Sequence, residues 1–192
     1  MRLVLIICCS FFLVSCNQDS LMPNDIGEEL FEIFRTNETD NLKALLYTKE
    51  DELKVIELGK DRLEFDFETK KKIHESKTND SLRAKINQNR FESIKEEFDD
   101  SRNLLLEKLQ TDIASYRLQE IYAEVEEHDA YDNEVYETSA YIFLEIVNNT
   151  MDKHYIAFEV IKIDEDQWKL SDYISIEDTL YQGFQKYENV KL

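Results

Sequence analysis

The chain has three histidines, His74, His128 and His154. None stands in a His-x-x-x-His or His-Glu-x-x-His spacing, the arrangement that brings two imidazoles to one side of a helix for zinc. Asp164-Glu165-Asp166 sets three carboxylates in a row. A calcium loop needs its oxygen ligands spaced around a central glycine, so this tripeptide reads as an acidic hairpin turn. Tyr141, Tyr155 and Glu145 are the polar strand residues that could act together. If they faced the inside of a curved sheet, a carboxylate beside a tyrosine would suit proton transfer on a carbonyl or hydroxyl substrate. Packing is the commoner use of strand tyrosines, which bury a ring and keep a wet hydroxyl. With only three glycines in the chain, there is no Gly-x-Ser-x-Gly, phosphate-cradling loop or dinucleotide fingerprint. The residues therefore assign no catalytic, metal or cofactor site, and the expectation is a protein that is not an enzyme.

The three cysteines are Cys8, Cys9 and Cys16. Arg2 precedes an apolar run from Leu3 to Val14, a signal-peptide core in length and flanks and too short to span a bilayer. The run ends in Leu13-Val14-Ser15-Cys16, which resembles the lipobox of bacterial lipoproteins at all four positions. That resemblance implies a diacylglycerol on the Cys16 sulfur, cleavage before Cys16 and acylation (palmitate or a similar chain) of the new N-terminus. Two or more acyl chains give stable anchoring. The mature chain would then hold no free thiol and no disulfide. Asn17 follows the cysteine. In enterobacterial sorting an Asp there would favour inner-membrane retention, so the outer membrane is the expected site.

Charge narrows the partners. The chain has 23 Lys and Arg against 42 Asp and Glu, a net charge of −19, and removing Met1–Ser15 takes away one base and no acid. Such a surface repels phosphates, which excludes nucleic acid as the expected partner, and it disfavours flat contact with anionic lipid. A basic protein, a cation or simple solubility fits it. Three Asp-Ser/Thr-apolar tripeptides, at Ser20, Ser81 and Thr179, resemble an O-glycosylation acceptor pattern of some bacterial exported proteins.

The rest of the chain must position these groups. Residues 17–24, with Pro23, read as a tether reaching under roughly 30 Å. Asn24 or Asp25 is expected to cap a helix bearing Ile26, Leu30, Ile33 and Phe34. Further helices follow: one from Thr39-Asp40, and one capped by Thr48 with Asp51 that ends near Gly59. Asp61 to Ser76 leans helical. A helix from Asn79 to Asp99 is expected to restart at Asp100-Ser101 and run through Leu105, Leu109 and Ile113, packed on the domain because Arg90 and Arg102 interrupt a coiled-coil seam. The period then changes to two. Runs at 117–127, 135–147, 154–163 and 168–176, joined by short polar turns, read as an antiparallel meander. Trp168 is expected to plug the core. Tyr181, Phe184 and Tyr187 are expected to dock the C-terminal turn onto the domain.

The stretch Tyr155-Ile-Ala-Phe-Glu-Val-Ile-Lys-Ile-Asp-Glu-Asp-Gln-Trp-Lys-Leu-Ser-Asp172 resembles the last hairpin of nuclear transport factor two-like (cystatin-like) domains. The helical opening Glu29–Phe34 followed by Leu42 to Leu46 suits the same superfamily. The resemblance spans about residues 135–175, lacks the usual turn glycine and implies a cone-shaped sheet around an N-terminal helix. The expected fold is therefore α+β: N-terminal helices packed on a curved, cone-like, four-stranded antiparallel sheet, with a long helical insertion between 60 and 113. The expected domains are 1–15 signal peptide, 16–24 lipidated cysteine and tether, and 25–192 a single α+β domain (helical 25–113, sheet 117–176, tail 177–192). Fold alone does not set function here, because the superfamily includes isomerases, dehydratases, ligand binders and interaction domains. The function expected is a membrane-anchored, non-catalytic binding module of the bacterial envelope. The alternatives are a small apolar-ligand binder or cone-type isomerase or dehydratase, and an immunity-type lipoprotein that binds a basic toxin.

Overall fold

The computed structural model describes residues 22–59, 65, 67–127 and 138–187. Cys16 and the signal-like segment, His128 and residues 135–137 of the second expected strand lie outside the described residues. Among those described, five helices come first: α1 Pro23–Thr36, α2 Leu42–Leu45, α3 Lys49–Leu58, α4 Phe67–Thr78 and α5 Asp80–Lys108. Five strands follow: β1 Arg117–Glu127, β2 Thr138–Val147, β3 Lys153–Asp164, β4 Gln167–Glu177 and β5 Gln185–Lys186. They form one antiparallel sheet in the order β4-β3-β2-β1-β5. The class is α+β, and the four-strand meander lies where the alternation put it. The expectation of four strands is corrected to five. The added pair of residues carries no apolar pattern and exists through its pairing with Tyr122 and Ala123 of β1. No helix among the described residues is long and apolar enough to cross a membrane.

Two helix boundaries also differ from the sequence reading. α1 starts at Pro23, not after Asn24 or Asp25: proline presets the first helical φ, and Asp25 Oδ2 accepts the Met22 N–H at 3.0 Å. Residues 23 and 24 thus belong to the helix and not to a tether. α5 runs through Asp100-Ser101 without a restart and ends at Lys108; Ile113 belongs to a separate short turn. The Ser101 hydroxyl donates to the Ile174 carbonyl of β4 at 3.0 Å, and Arg102 donates to the Phe34 carbonyl at the end of α1 at 2.8 Å. Ser101, read as a restart, and Arg102, read as an interruption of the seam, therefore both clamp α5 onto its neighbours. Elsewhere the local signals hold. Thr48 and Asp51 cap α3 reciprocally, Asp51 accepting the Thr48 N–H at 2.9 Å and donating its own N–H to Thr48 Oγ1 at 3.2 Å. Gly59 ends α3, although its φ of −89° makes no use of glycine's left-handed freedom.

α1 and α5 cover one face of the sheet. Phe34 and Phe98 meet at 4.5 Å between ring centroids and pack with Leu144, Phe158 and Trp168, all fully buried. A second, smaller cluster joins Tyr47 and Val55 to Ile161 and Ile163. The segment leading there runs beside β4: Leu46 bridges Leu170, and the Tyr47 N–H donates to the Leu170 carbonyl at 2.8 Å.

Candidate functional site

The pleat decides which polar residues share a surface. Ile142, Leu144 and Ile146 of β2 face the helices, so Tyr141, Phe143 and Glu145 must face the other way. The condition that an enzyme reading would set, Tyr141, Tyr155 and Glu145 facing the inside of the sheet together, is therefore not met. They lie on the outer face, and the strand register arranges that face in rows. Glu124 pairs with Tyr141, and Tyr141 with Glu159. Tyr122 pairs with Phe143, then Ala157, then Ser175. Glu120 pairs with Glu145, then Tyr155, then Glu177.

Glu145 is the hub of the last row and is 5 % exposed. Three donors converge on its Oε2: the Tyr155 hydroxyl at 3.2 Å, the Tyr122 hydroxyl at 3.3 Å and Lys153 Nζ at 2.9 Å. Burial and the adjacent carboxylate push both phenols above their ordinary range, burial being the larger cause. The hydrogen bond to Glu145 raises Lys153 as well. All three groups stay protonated at neutral pH and donate to the buried carboxylate, whose charge the Lys153 ammonium balances.

The tail lies across the middle row. Phe184 packs on Phe143 at 4.4 Å and Tyr181 meets it edge-on at 5.5 Å. Tyr187 packs against the main core on the helix side. The docking expected of these aromatics therefore holds for Phe184 and Tyr187, on opposite faces, while Tyr181 remains half exposed. Its hydroxyl donates to Glu177 at 2.6 Å, and Ser175 donates to the same carboxylate at 2.8 Å. Tyr173 meets Tyr141 edge-on at 6.0 Å and is also part-exposed. The uncovered remainder of the face is thus tyrosine edges set among Glu124, Glu126, Asp172 and Glu177.

The other sequence candidates resolve separately. His74 is exposed on α4. His154 sits at the start of β3 with Nε2 3.1 Å from Asp152 Oδ2, and the Tyr116 hydroxyl donates to the same carboxylate. Those bonds hold Asp152 below the usual carboxylate range, the tyrosine's being the larger cause. Asn148 accepts the Thr150 and Asp152 N–H groups at 2.9 and 3.0 Å, so this cluster staples the β2–β3 turn to the start of β1. Glu165 and Asp166 form the β3–β4 turn, and Asp164 pairs with Lys54 at 2.9 Å. No group of three His, Cys, Asp or Glu among the described residues is placed to hold a metal. Trp168 is fully buried in the core, as expected, with Lys162 Nζ 5.5 Å from its ring. Ser81 and Thr179 are exposed.

One feature was missed by the sequence reading. β4 carries a bulge: Phe158 pairs with Ile174, but Val160 pairs with Leu170, so Ser171, Asp172 and Tyr173 stand opposite Glu159 alone. Beside the bulge lies a notch of about 190 Å³ whose wall includes Tyr47, Arg90, Glu159 and Asp172. The signal was present in the apolar spacing of Trp168, Leu170, Ile174 and Ile176, where one gap of four interrupts the gaps of two. A wider opening of about 500 Å³ lies between α1 and β1, beside Phe31, Ile121 and Tyr187.

In comparisons with known proteins, no family model matches the chain, and no curated protein or solved structure is significantly similar to it.

Proposed function

We propose that this chain is a lipid-anchored, non-catalytic binding module of a bacterial envelope, and that the outer face of its sheet receives a basic protein. The observation that carries the reading is the band of exposed Tyr173 and Tyr181 with half-buried Tyr141 among carboxylates, on the face of the sheet turned away from α1. Tyrosine is enriched at binding hot spots, where its ring offers area at low entropic cost. A ring face also attracts cations, and the surrounding carboxylates add a field of the same sense. The lipobox at Cys16 supports the anchor, and α1 beginning at Pro23 would keep the domain close to the bilayer. A cone-like sheet of the nuclear transport factor two-like kind is compatible with helices on one face of a four-strand meander. The apolar-ligand and isomerase readings need a cavity on the helix-facing side of the sheet. Phe34, Phe98, Phe158 and Trp168 fill the centre of that side, and the opening of about 500 Å³ between α1 and β1 is the space left there for such a ligand.

The test is co-purification from native membranes. Tagged chain is compared with Cys16→Ser and with Glu124→Lys/Glu126→Lys at low and high salt. The expected result is acylation lost with Cys16→Ser, and a stoichiometric basic protein lost both at high salt and with the charge reversal. A bound small molecule with no protein partner would transfer the assignment to a pocket.

A further inference from the structure

β5 covers little of the strand it pairs with. Of Arg117–Glu127 in β1, only Tyr122 and Ala123 have a partner on that side among the described residues. In an antiparallel strand alternate residues aim their N–H and C=O groups away from the paired neighbour, so the rest of this edge is open to another backbone. The two open stretches differ. Past Ala123 the edge carries Glu124, Glu126 and Glu127, charges of the kind that guard an edge against pairing. Before Tyr122 it runs Leu118-Gln119-Glu120-Ile121. These residues line the opening of about 500 Å³, together with Glu28 and Phe31 of α1. A bulge leaves Gln119 without a β2 partner and lets Leu118 and Ile121 both pack against the core, although they are three apart. Tyr187 lines the end next to β5, its hydroxyl held at the backbone of Asn24.

The lining decides what fits. Leu118, Ile121, Phe31 and Tyr187 offer apolar surface beside the open backbone. The β1 stretch spans roughly 13 Å, the length of a similar stretch of neighbouring strand. Of the two carboxylates, Glu120 is paired with Lys186, while Glu28 is exposed and has no ion-pair partner among the described residues. Arg117 precedes the lined stretch and is not part of the wall. The charge left over in the wall is therefore that of Glu28. A second copy of the chain would bring its own net charge of −19 to this edge, which disfavours it as the occupant. We propose that the Leu118–Ile121 edge takes an extended, basic segment of a partner protein as an added strand in line with β5. Its backbone pairs with β1, its apolar side chains lie against Phe31 and Ile121, and a lysine or arginine meets Glu28. For the partner's basic character this rests on the proposed function; the open edge does not depend on it.

The probe is the peptide acetyl-Thr-Val-Lys-Val-Thr-amide. It is compared with its fully N-methylated form, which cannot donate to a ladder, and with the form carrying glutamate for lysine. Each is titrated into the full chain and into Glu28→Lys, an exposed change, and followed by amide NMR. The expected result is saturable shifts at Gln119, Glu120 and Ile121 with the lysine peptide, about fivefold weaker binding of the glutamate form, and no shifts on N-methylation. Glu28→Lys is expected to weaken the lysine peptide by about fivefold and to remove its advantage over the glutamate form. Absence of saturable shifts, an equal response to the N-methylated peptide, or indifference to Glu28→Lys overturns the added strand. So does binding that appears only in a chain ending at Tyr187, which would give the opening to residues 188–192. If the lysine peptide binds and the partner from native membranes ignores Glu124→Lys/Glu126→Lys, the edge stands and the tyrosine face falls. If that reversal releases the partner but no peptide adds at β1, the face stands and the edge falls.

Discussion

The two faces of this sheet come from the same four strands and obey opposite chemistry. Toward α1 and α5, Ile142, Leu144, Ile146, Ile156, Phe158 and Trp168 are fully buried. Even the Trp168 indole N–H has no hydrogen-bond partner among the described residues. On the outer face, burial is accompanied by polar pairing: Glu145 is almost as hidden as the core, yet it holds two phenols and an ammonium. A buried carboxylate costs several kcal/mol unless paired, and an apolar side chain would serve stability there at least as well. The inner face thus carries the fold's stability, and the outer face retains polar groups that stability alone does not require. That contrast is the physical case for placing function on the outer face.

The sharpest way to break the contrast is to remove one large ring from each side. Trp168→Ala is expected to cost about 3–5 kcal/mol, since a fully buried indole leaves a cavity its neighbours cannot refill. Tyr173→Ala, at a part-exposed site, is expected to stay within about 0.5 kcal/mol. Urea unfolding of both variants decides it. Equal losses would mean that the outer tyrosines are structural and not displayed for a partner.

Gly27 probes the same inner face more finely. A Cβ there would sit 2.8 Å from Leu144 Cδ2 and 3.5 Å from Phe158 Cζ. Helix propensity favours Gly27→Ala by about 1 kcal/mol. Overpacking against a fully buried leucine opposes it by about 1–3 kcal/mol. The sum predicts a net loss of about 1 kcal/mol, relieved when Leu144 is shortened to alanine in a double-mutant cycle. Net stabilisation by Gly27→Ala alone would show that α1 does not press on the sheet as described.

These tests concern a fold that was largely legible from periodicity. Alternation placed the meander and named its inner residues, because a half-buried strand cannot hide which side is dry. The same alternation held the answer for Tyr141 and Glu145: if Ile142 and Ile146 point in, they point out. β5 left no trace because its two residues are polar and owe their conformation to β1. Ser101 looked like a cap because serine competes for local backbone bonds; here its hydroxyl instead reaches Ile174, 73 residues away in sequence. The notch joins Leu46, Arg90, Glu159 and Asp172, which only the tertiary fold brings together, and the one local hint was the widened gap between Leu170 and Ile174.

The smallest expected effect tests whether the outer face is an electrostatic unit. The Tyr141 phenol is pushed above its ordinary value of 10.0, first by burial, then by Glu159 and Glu126, with Tyr173 adding less. A raised tyrosine pKa means that the folded state holds the proton more tightly than the unfolded chain does. The associated stability is full below pH 10.0 and is lost as pH rises through the folded value. Glu126→Gln removes one of the two carboxylates and leaves burial untouched, so the Tyr141 midpoint should fall while remaining elevated. The phenol can be followed by its ring-carbon shift, with Tyr141→Phe assigning the signal, and the difference should shrink in high salt as exposed charges are screened. If Glu126→Gln leaves the midpoint in place, burial alone sets it. The carboxylates and tyrosines would then be neighbours without coupling, and a basic partner approaching this face would meet rings and charges as separate features and not as one field.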